Sequence, residues 1–276
     1  MDDEVRDFYN KYGIREWNRL EESTYNRINF LLHMHFIENY LHKGVKILDA
    51  GCGAGRYSVE FAKKGCKLSL FDISDEQLKI AKEKIEEAKV SDNIDGIYQG
   101  DIRDLSQFKN EEFDIVVCYG APLSYVIKNR DKAMLEFNRV LSKNGILFIS
   151  VNNKWGILKM LLGNKHPDFF NKPEYWYIDN VIKTGDLPKH EKVNQPARHF
   201  FEASELNNLI LENGFDGIAL GGSPCFSCGN SQSIEELGKD KKALNTILQI
   251  EIETYMKPTM VDNGEFLLAR AIKNSH

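Results

Sequence analysis

From residue 44 onward the chain alternates short apolar runs with amphipathic stretches. Val45–Leu48, Lys67–Phe71, Ile94–Gln99, Phe113–Cys118 and Ile146–Val151 have the length and apolar character of buried strands. Between them, Arg56–Lys64, Asp75–Lys89 and Asp131–Leu141 carry helical spacing. Ser74 followed by Gln77 is a capping-box signature at the start of the second helix. Such alternation predicts a parallel sheet with helices on both faces and ligands bound past the carboxyl ends of the strands. Ahead of it, residues 1–43 space Phe8, Tyr9, Tyr12 and Trp17, then Ile28 to Leu41, as two or three amphipathic helices.

The first strand runs into Asp49-Ala50-Gly51-Cys52-Gly53-Ala54-Gly55-Arg56, with glycine at three alternate positions. Glycine tolerates the backbone angles of a tight strand-to-helix turn and has no Cβ to hold a ligand off the main chain. The helix that begins at about Arg56 offers unpaired N–H groups and a positive dipole end to a polar or anionic ligand group. The dinucleotide fingerprint G-x-G-x-x-G would need a third glycine at position 56, and Arg56 stands there. The second strand ends in Asp72, about twenty residues past the glycines, where a carboxylate can accept hydrogen bonds from both ribose hydroxyls of an adenosine.

Asp49-x-Gly51-x-Gly53-x-Gly55 resembles motif I of the class I S-adenosylmethionine-dependent methyltransferases. Four further segments resemble that family in order and spacing. They are the strand end at Asp72-Ile73, Tyr98-Gln99-Gly100-Asp101-Ile102, Glu112 to Tyr119, and the turn and strand from Leu141 to Ile149. The resemblance covers about residues 45–151 and returns at 199–220 and 265–272. It implies an α/β fold, a doubly wound, mostly parallel, seven-stranded Rossmann-like sheet with N-terminal helices and two cap insertions. It also implies S-adenosyl-L-methionine as cofactor and S-adenosyl-L-homocysteine as product. Carried over position by position, the cofactor-binding residues are Asp49, Gly51, Cys52, Gly53, Gly55, Asp72, Ile73, Asp101, Ile102 and Cys118. Among these, Asp72 would hold the ribose, Ile73 would flank the adenine and Asp101 would reach its amino group.

The expected organisation is an N-terminal helical lid (1–43), a cofactor-binding core (44–151), a cap insertion (152–198), core again (199–220), a second insertion (221–264) and the last core strand (265–276). The first insertion carries Trp155, Phe169, Phe170, Tyr175, Trp176 and Tyr177, and structureless loops of that length are rare unless functional. The second has a helix at roughly Lys241–Tyr255. In similar methyltransferases the N-terminal segment and insertions at these places build the acceptor pocket. Tyr9, Trp17, Tyr25 and Arg27 could then touch ligand, although helix-packing core is the simpler account of such aromatics. His33 and His35 read as ordinary surface or core residues.

A net charge of −5, with no Lys/Arg cluster, argues against a nucleic-acid partner. So does Cys118-Tyr119-Gly120-Ala121-Pro122-Leu123, which lacks the Asn/Asp-Pro-Pro-Tyr/Phe signature of enzymes that methylate exocyclic amines of DNA bases. The acidic N-terminus is no signal peptide and no apolar run approaches a membrane span, so the expected location is cytoplasmic, without a membrane partner. Five cysteines fit small buried hydrophobes in a reducing compartment. Cys225-x-x-Cys228 lacks the two further ligands of a zinc site, so no metal is expected.

Methyl transfer needs alignment and exclusion of water, and a general base only if the acceptor must lose a proton. Catalytic residues are therefore left unassigned; Tyr119, Tyr125, His190 and His199 are candidates for a base or an acceptor contact. The expected activity is methyl transfer to a small molecule with an apolar or aromatic part. Alternatives are a methyltransferase acting on protein or RNA, a non-catalytic cofactor-binding module and, more distantly, a nicotinamide-dependent oxidoreductase. Oligomeric state is not legible.

Overall fold

The first strands divide their side chains between two faces. In β1 (Lys46–Ala50), Ile47 joins one buried cluster and Leu48 the other. In β4 (Phe113–Cys118), Ile115 and Val117 point one way, Val116 and Cys118 the opposite way. Period-two alternation with both faces apolar produces a sheet buried on each side. The computed structural model describes residues 2–164, 176–189 and 195–274.

Three helices precede this sheet: α1 (Asp2–Tyr12), α2 (Arg15–Arg19) and α3 (Thr24–Ile37). α3 starts where the Ser23 hydroxyl accepts from the Asn26 amide at 3.0 Å, a cap worth about 1 kcal/mol. After β1 come α4 (Arg56–Lys63), β2 (Lys67–Asp72), α5 (Asp75–Glu87), β3 (Ile94–Gln99) and then β4. These bounds agree with the hydrophobic pattern to within a few residues. α6 (Pro122–Tyr125), α7 (Arg130–Val140) and β5 (Leu141–Asn152) follow. β5 begins before the expected Ile146 because Phe113 pairs with Leu141 ahead of a register shift in which Asn144 takes φ +59°.

The first insertion contributes α8 (Lys154–Asn164), α9 (Trp176–Thr184) and a short antiparallel pair, β6 (Asp186–Leu187) with β7 (Arg198–His199). Phe169, Phe170, Tyr175 and His190 lie outside the described residues. α10 (Ala203–Glu212) and β8 (Phe215–Ser223) resume the core. The second insertion holds α11 (Ser231–Leu237), which the hydrophobic pattern does not announce, and the expected helix, α12 (Lys241–Thr254). The chain closes with β9 (Phe266–Lys273).

All strands except β6 and β7 form one seven-stranded sheet in the order β3-β2-β1-β4-β5-β9-β8. β1 to β5 are parallel; β9 runs antiparallel between β5 and β8, pairing Ala269 with both Ile149 and Leu220. α3, α4 and α5 bury Leu32, Phe61 and Ile85 on one face. On the other face α7 and α10 bury Phe137 and Ile210. This is the doubly wound, mostly parallel α/β fold. Among the described residues, no helix is long and apolar enough to cross a membrane.

Candidate functional site

The turn after β1 needs its glycines for separate reasons. Gly51, at φ +86°, would place a Cβ 2.3 Å from Cγ of Pro122. Gly55, at φ +78°, begins α4, and a Cβ there would lie 3.0 Å from that of Ala81 on α5. Gly51 thus serves the approach of the turn to the β4–α6 loop, whereas Gly55 serves helix packing. The Gly51 and Cys52 amides donate to Phe71 O (2.7 and 3.1 Å). Gly53 N–H donates to Oδ2 of Asp72 and Ser74 N–H to its Oδ1, both at 2.8 Å.

Asp72 therefore ties two strand-end turns together. A carboxylate has about four lone-pair sites, and these bonds use two, leaving acceptor capacity on each oxygen for a diol. Burial pushes its pKa up to about 6, against the opposing pull of the two amides.

Seven of the expected cofactor residues line one cavity at the carboxyl ends of β1 to β4: Gly51, Cys52, Gly53, Asp72, Ile73, Asp101 and Ile102. The other three, Asp49, Gly55 and Cys118, do not. Asp49 is 1% exposed and accepts from the Ser58 hydroxyl at 2.5 Å, behind the turn. Burial, with Asp72 nearby, raises its pKa to about 7 although Ser58 opposes the shift. Cys118 points into the layer of α7 and α10, and burial raises its thiol well out of the reactive range. Asp101 lies in the cavity wall but is clamped by its neighbour Arg103, whose Nε reaches Oδ1 at 2.9 Å.

Tyr57, Tyr119 and Gly120 come from the core; Val5, Tyr9, Glu16, Arg19 and Leu20 close the cavity from the N-terminal helices. α1 is pinned there by Gln77, whose side-chain amide donates to Tyr9 O and Gly13 O at 3.0 Å, and by Asn10 donating to Asp75 at 2.8 Å. The expected capping box at α5 is consequently half-made. Ser74 Oγ accepts from Gln77 N–H (3.1 Å), but the Gln77 side chain is spent on α1 and Ser74 N–H on Asp72. Of the other N-terminal candidates, Tyr25 is buried core and Arg27 is exposed. Trp17 lies beneath the Arg56 guanidinium.

A second cavity, of about 320 Å³ against about 100 Å³ for the first, opens beside it. Tyr9, Glu16, Arg19, Gly120 and Tyr125 line both. Tyr9 and Tyr125 hydroxyls meet at 3.2 Å, and burial, then the neighbouring Tyr125, pushes the Tyr9 pKa well up. Glu16 and Arg19 form a pair at 2.6 Å. Farther in stand Phe8, Tyr12, Phe200 and Phe266 with Asn152, Arg198 and Glu265. Asn152, Arg198 and Glu265 are not legible in the sequence because no motif or periodicity links them; β5, β7 and the entry to β9 converge only in the fold.

The remaining candidates separate clearly. Tyr119 lines the first cavity, and its buried hydroxyl has no partner among the described residues. His199 lines neither cavity. Its Nδ1 faces Asp186 (2.7 Å) and its Nε2 faces Glu205 (2.8 Å), so it joins the β6–β7 pair to α10. His33 is buried among Tyr57, Tyr119 and Phe266, and burial lowers its pKa to about 4. Cys225 and Cys228 lie in a buried turn organised by Glu251, which accepts from the amides of Cys225 and Ser227 and from the Cys225 thiol. Among the described residues no group of three His, Cys, Asp or Glu side chains could hold a metal ion.

The first cavity suits an adenosine with a charged tail: carboxylates at two adjacent strand ends, Ile73 and Ile102 as apolar walls, and a glycine turn no Cβ obstructs. The comparisons with known proteins agree. The methyltransferase domain family matches residues 41–176. The chain is 30% identical over 194 residues to the glycine/sarcosine N-methyltransferase of Aphanothece halophytica, covering 66% of this chain and 71% of that protein. It is 28% identical over 223 residues to an uncharacterised protein of Methanocaldococcus jannaschii, covering 78% and 77% of the two. An S-adenosylmethionine-dependent methyltransferase of Thermotoga maritima has the same fold, with a TM-score of 0.59 over 97% of this chain and 99% of its own at 17% identity. The chain belongs to the class I S-adenosylmethionine-dependent methyltransferases, and S-adenosylmethionine is its cofactor.

Proposed function

We propose that the protein transfers a methyl group from S-adenosylmethionine, held in the first cavity, to a small molecule held in the second. The observation that carries this is the shared wall of Tyr9, Glu16, Arg19, Gly120 and Tyr125, which leaves the two ligands side by side. The glycine/sarcosine N-methyltransferase relative, whose named acceptors are small, supports it.

When bound, the cofactor supplies a methyl carbon activated by a sulfonium, whose sulfur keeps the bonding pair as the acceptor's lone pair forms the new bond. The chain's part is placement and exclusion of water, and alignment alone can supply about 7–11 kcal/mol. Asp72, with acceptor capacity left on both oxygens, orients the ribose. The N-terminal helices act as a lid and the first insertion, through Ile157 and Arg198, as a wall of the second cavity; Tyr9, Glu16 and Arg19 bring the lid to the junction. No general base is needed for an acceptor that arrives deprotonated, and the Tyr9–Tyr125 pair is the hydroxyl pair at the junction. All five cysteines are free, as a reducing compartment would keep them, which supports a cytoplasmic location.

The test is transfer of labelled methyl from S-adenosylmethionine into cell extract fractionated by size. Label in the low-mass pool is expected. Label in protein or RNA would replace the acceptor, and cofactor binding without label anywhere would demote the protein to a binding module. In parallel, Asp72→Asn should weaken cofactor binding by about ten- to a hundredfold in calorimetry, the scale of a lost charge-assisted hydrogen bond; unchanged affinity would remove Asp72 from the site.

A further inference from the structure

The second cavity leaves polar groups unmatched. Glu16 and Arg19 neutralise each other at the junction. Deeper in, Arg198 forms no hydrogen bond or ion pair among the described residues; its Nε is buried without a partner and its guanidinium lies over the Phe200 ring at 5.0 Å. Asn152 is 8% exposed, and its Oδ1 is buried without a donor. Glu265 faces the Tyr25 hydroxyl and forms no ion pair among the described residues, although the Arg19 and Arg198 guanidiniums lie near enough to act on its charge.

The backbone holds these groups close to one another. Asn152 pairs with Phe266, the residue after Glu265, in the β5–β9 ladder. The Asn152 carbonyl accepts from Phe201 N–H at 2.8 Å, three residues past Arg198. A buried donor or acceptor without a partner costs about 1–3 kcal/mol, so orphans gathered in one cavity mark where a ligand's polar atoms belong. Their signs differ. Arg198 asks for an acceptor with negative charge; Asn152 and Glu265 ask for donors, and a carboxylate favours a cationic one.

We propose that the acceptor is a small zwitterion, an amine that also carries an anionic group, with the anion paired to Arg198 and the amine N–H groups facing Asn152 and Glu265. This rests on the reading that the second cavity holds the acceptor. The walls suit it, because ring faces attract a cation. Burial raises the Glu265 pKa, and an ammonium beside it draws the carboxyl to its charged form. That carboxylate then takes the ammonium proton, freeing the nitrogen lone pair that attacks the methyl carbon. The expectation of an apolar acceptor rests on the aromatic residues alone; the aromatic walls are there, but the interior is polar.

The test uses the low-mass pool of a cell extract. One portion passes over a strong cation exchanger in acid and another over a strong anion exchanger in base. Each flow-through and eluate is then offered to the enzyme with labelled cofactor. A zwitterion is retained by both resins, so methyl acceptance should vanish from both flow-throughs and return in both eluates. Label in either flow-through overturns the zwitterion and leaves the transferase reading intact. No label even from the untreated pool removes the reading of a small-molecule acceptor, and this inference falls with it. With the recovered acceptor, Arg198→Met should raise KM about ten- to a hundredfold at unchanged cofactor affinity, and an unchanged KM overturns the role of Arg198. Arg198→Lys carries the same test should the methionine variant lose cofactor binding: a smaller rise supports the pairing, and wild-type KM refutes it.

Discussion

The two cavities are built on opposite principles. In the first, the strand-end groups are partnered by the chain itself: Asp72 holds the amides of Gly53 and Ser74, Asp101 holds Arg103, and Asp49 behind them holds Ser58. In the second, Asn152 Oδ1 and Arg198 Nε have no partner among the described residues. The first is a preorganised cradle whose carboxylates are already satisfied before a ligand adds bonds to them, with the buried Tyr119 hydroxyl left open beside them among the described residues. The second is completed only when a ligand supplies what is missing. A ligand common to a family can be met by backbone geometry, whereas an acceptor peculiar to one protein has to be met by side chains drawn from wherever the fold brings them together.

The largest expected effect probes the cradle. Gly51→Ala should abolish measurable cofactor binding and lower the melting temperature. Its Cβ would overlap Pro122, and its φ of +86° alone costs about 1–3 kcal/mol. Gly13→Ala is the control: it shares the positive φ but has nothing within 4 Å, so only the strain should register, as a smaller drop in melting temperature with the cofactor still bound. Calorimetric binding by Gly51→Ala at wild-type strength would break the contrast, because the first cavity would then not depend on that close approach.

A middle-sized effect concerns the buried carboxyl behind the cradle. Asp49 titrates near 3.8 in an unfolded chain and at about 7 in the fold. The folded state thus keeps a proton that the unfolded chain releases. The stability it contributes is full below 3.8 and is lost as pH rises through about 7. Asp72, at about 6, has the same sign. His33 has the opposite sign: its contribution is full above 6.5 and lost as pH falls through about 4. Denaturant unfolding between about pH 6.5 and 8 should show wild-type stability falling by about 0.5 kcal/mol, the loss at the two carboxyls being partly offset by His33 still titrating in the unfolded chain. Asp49→Asn should flatten that slope with cofactor affinity nearly unchanged. A steep loss of affinity would mean that Asp49 is part of the cradle and not its support.

The smallest effect is expected at Cys225 and Cys228, outside both cavities. Burial, then the nearby Glu251 for Cys225 and Glu265 for Cys228, raises both thiols to about 12, so neither is a nucleophile near neutral pH. A Cys225→Ser/Cys228→Ser variant should keep its methyl-transfer rate and bind no zinc. Lost activity at wild-type stability would reveal a third functional region and end the two-cavity account.

Much of the cradle is legible in the amino-acid sequence. Its strands are recognisable because burial on both faces forces continuous apolar runs, and the glycine turn because only glycine accepts those angles at that proximity. Asp72 and Asp101 stand out by their place after apolar strands. Even there the fold makes distinctions that spacing cannot. Gly55 packs against Ala81, Cys118 turns into the helix layer, and Gln77 gives up its half of the capping box to hold α1. Each depends on what lies opposite in space.

The amino-acid sequence by itself determined the alternating strands and helices, the tight turn after β1 and the acidic strand ends, because these follow from periodicity and backbone sterics within a few residues. Only the tertiary structure decided the second cavity. Tyr9, Asn152, Arg198 and Glu265 come from four distant stretches of chain and carry no shared local signal. Their chemistry exists because the sheet places β9 beside β5, the first insertion returns β7 to the end of β5, and Gln77 anchors α1 across the opening.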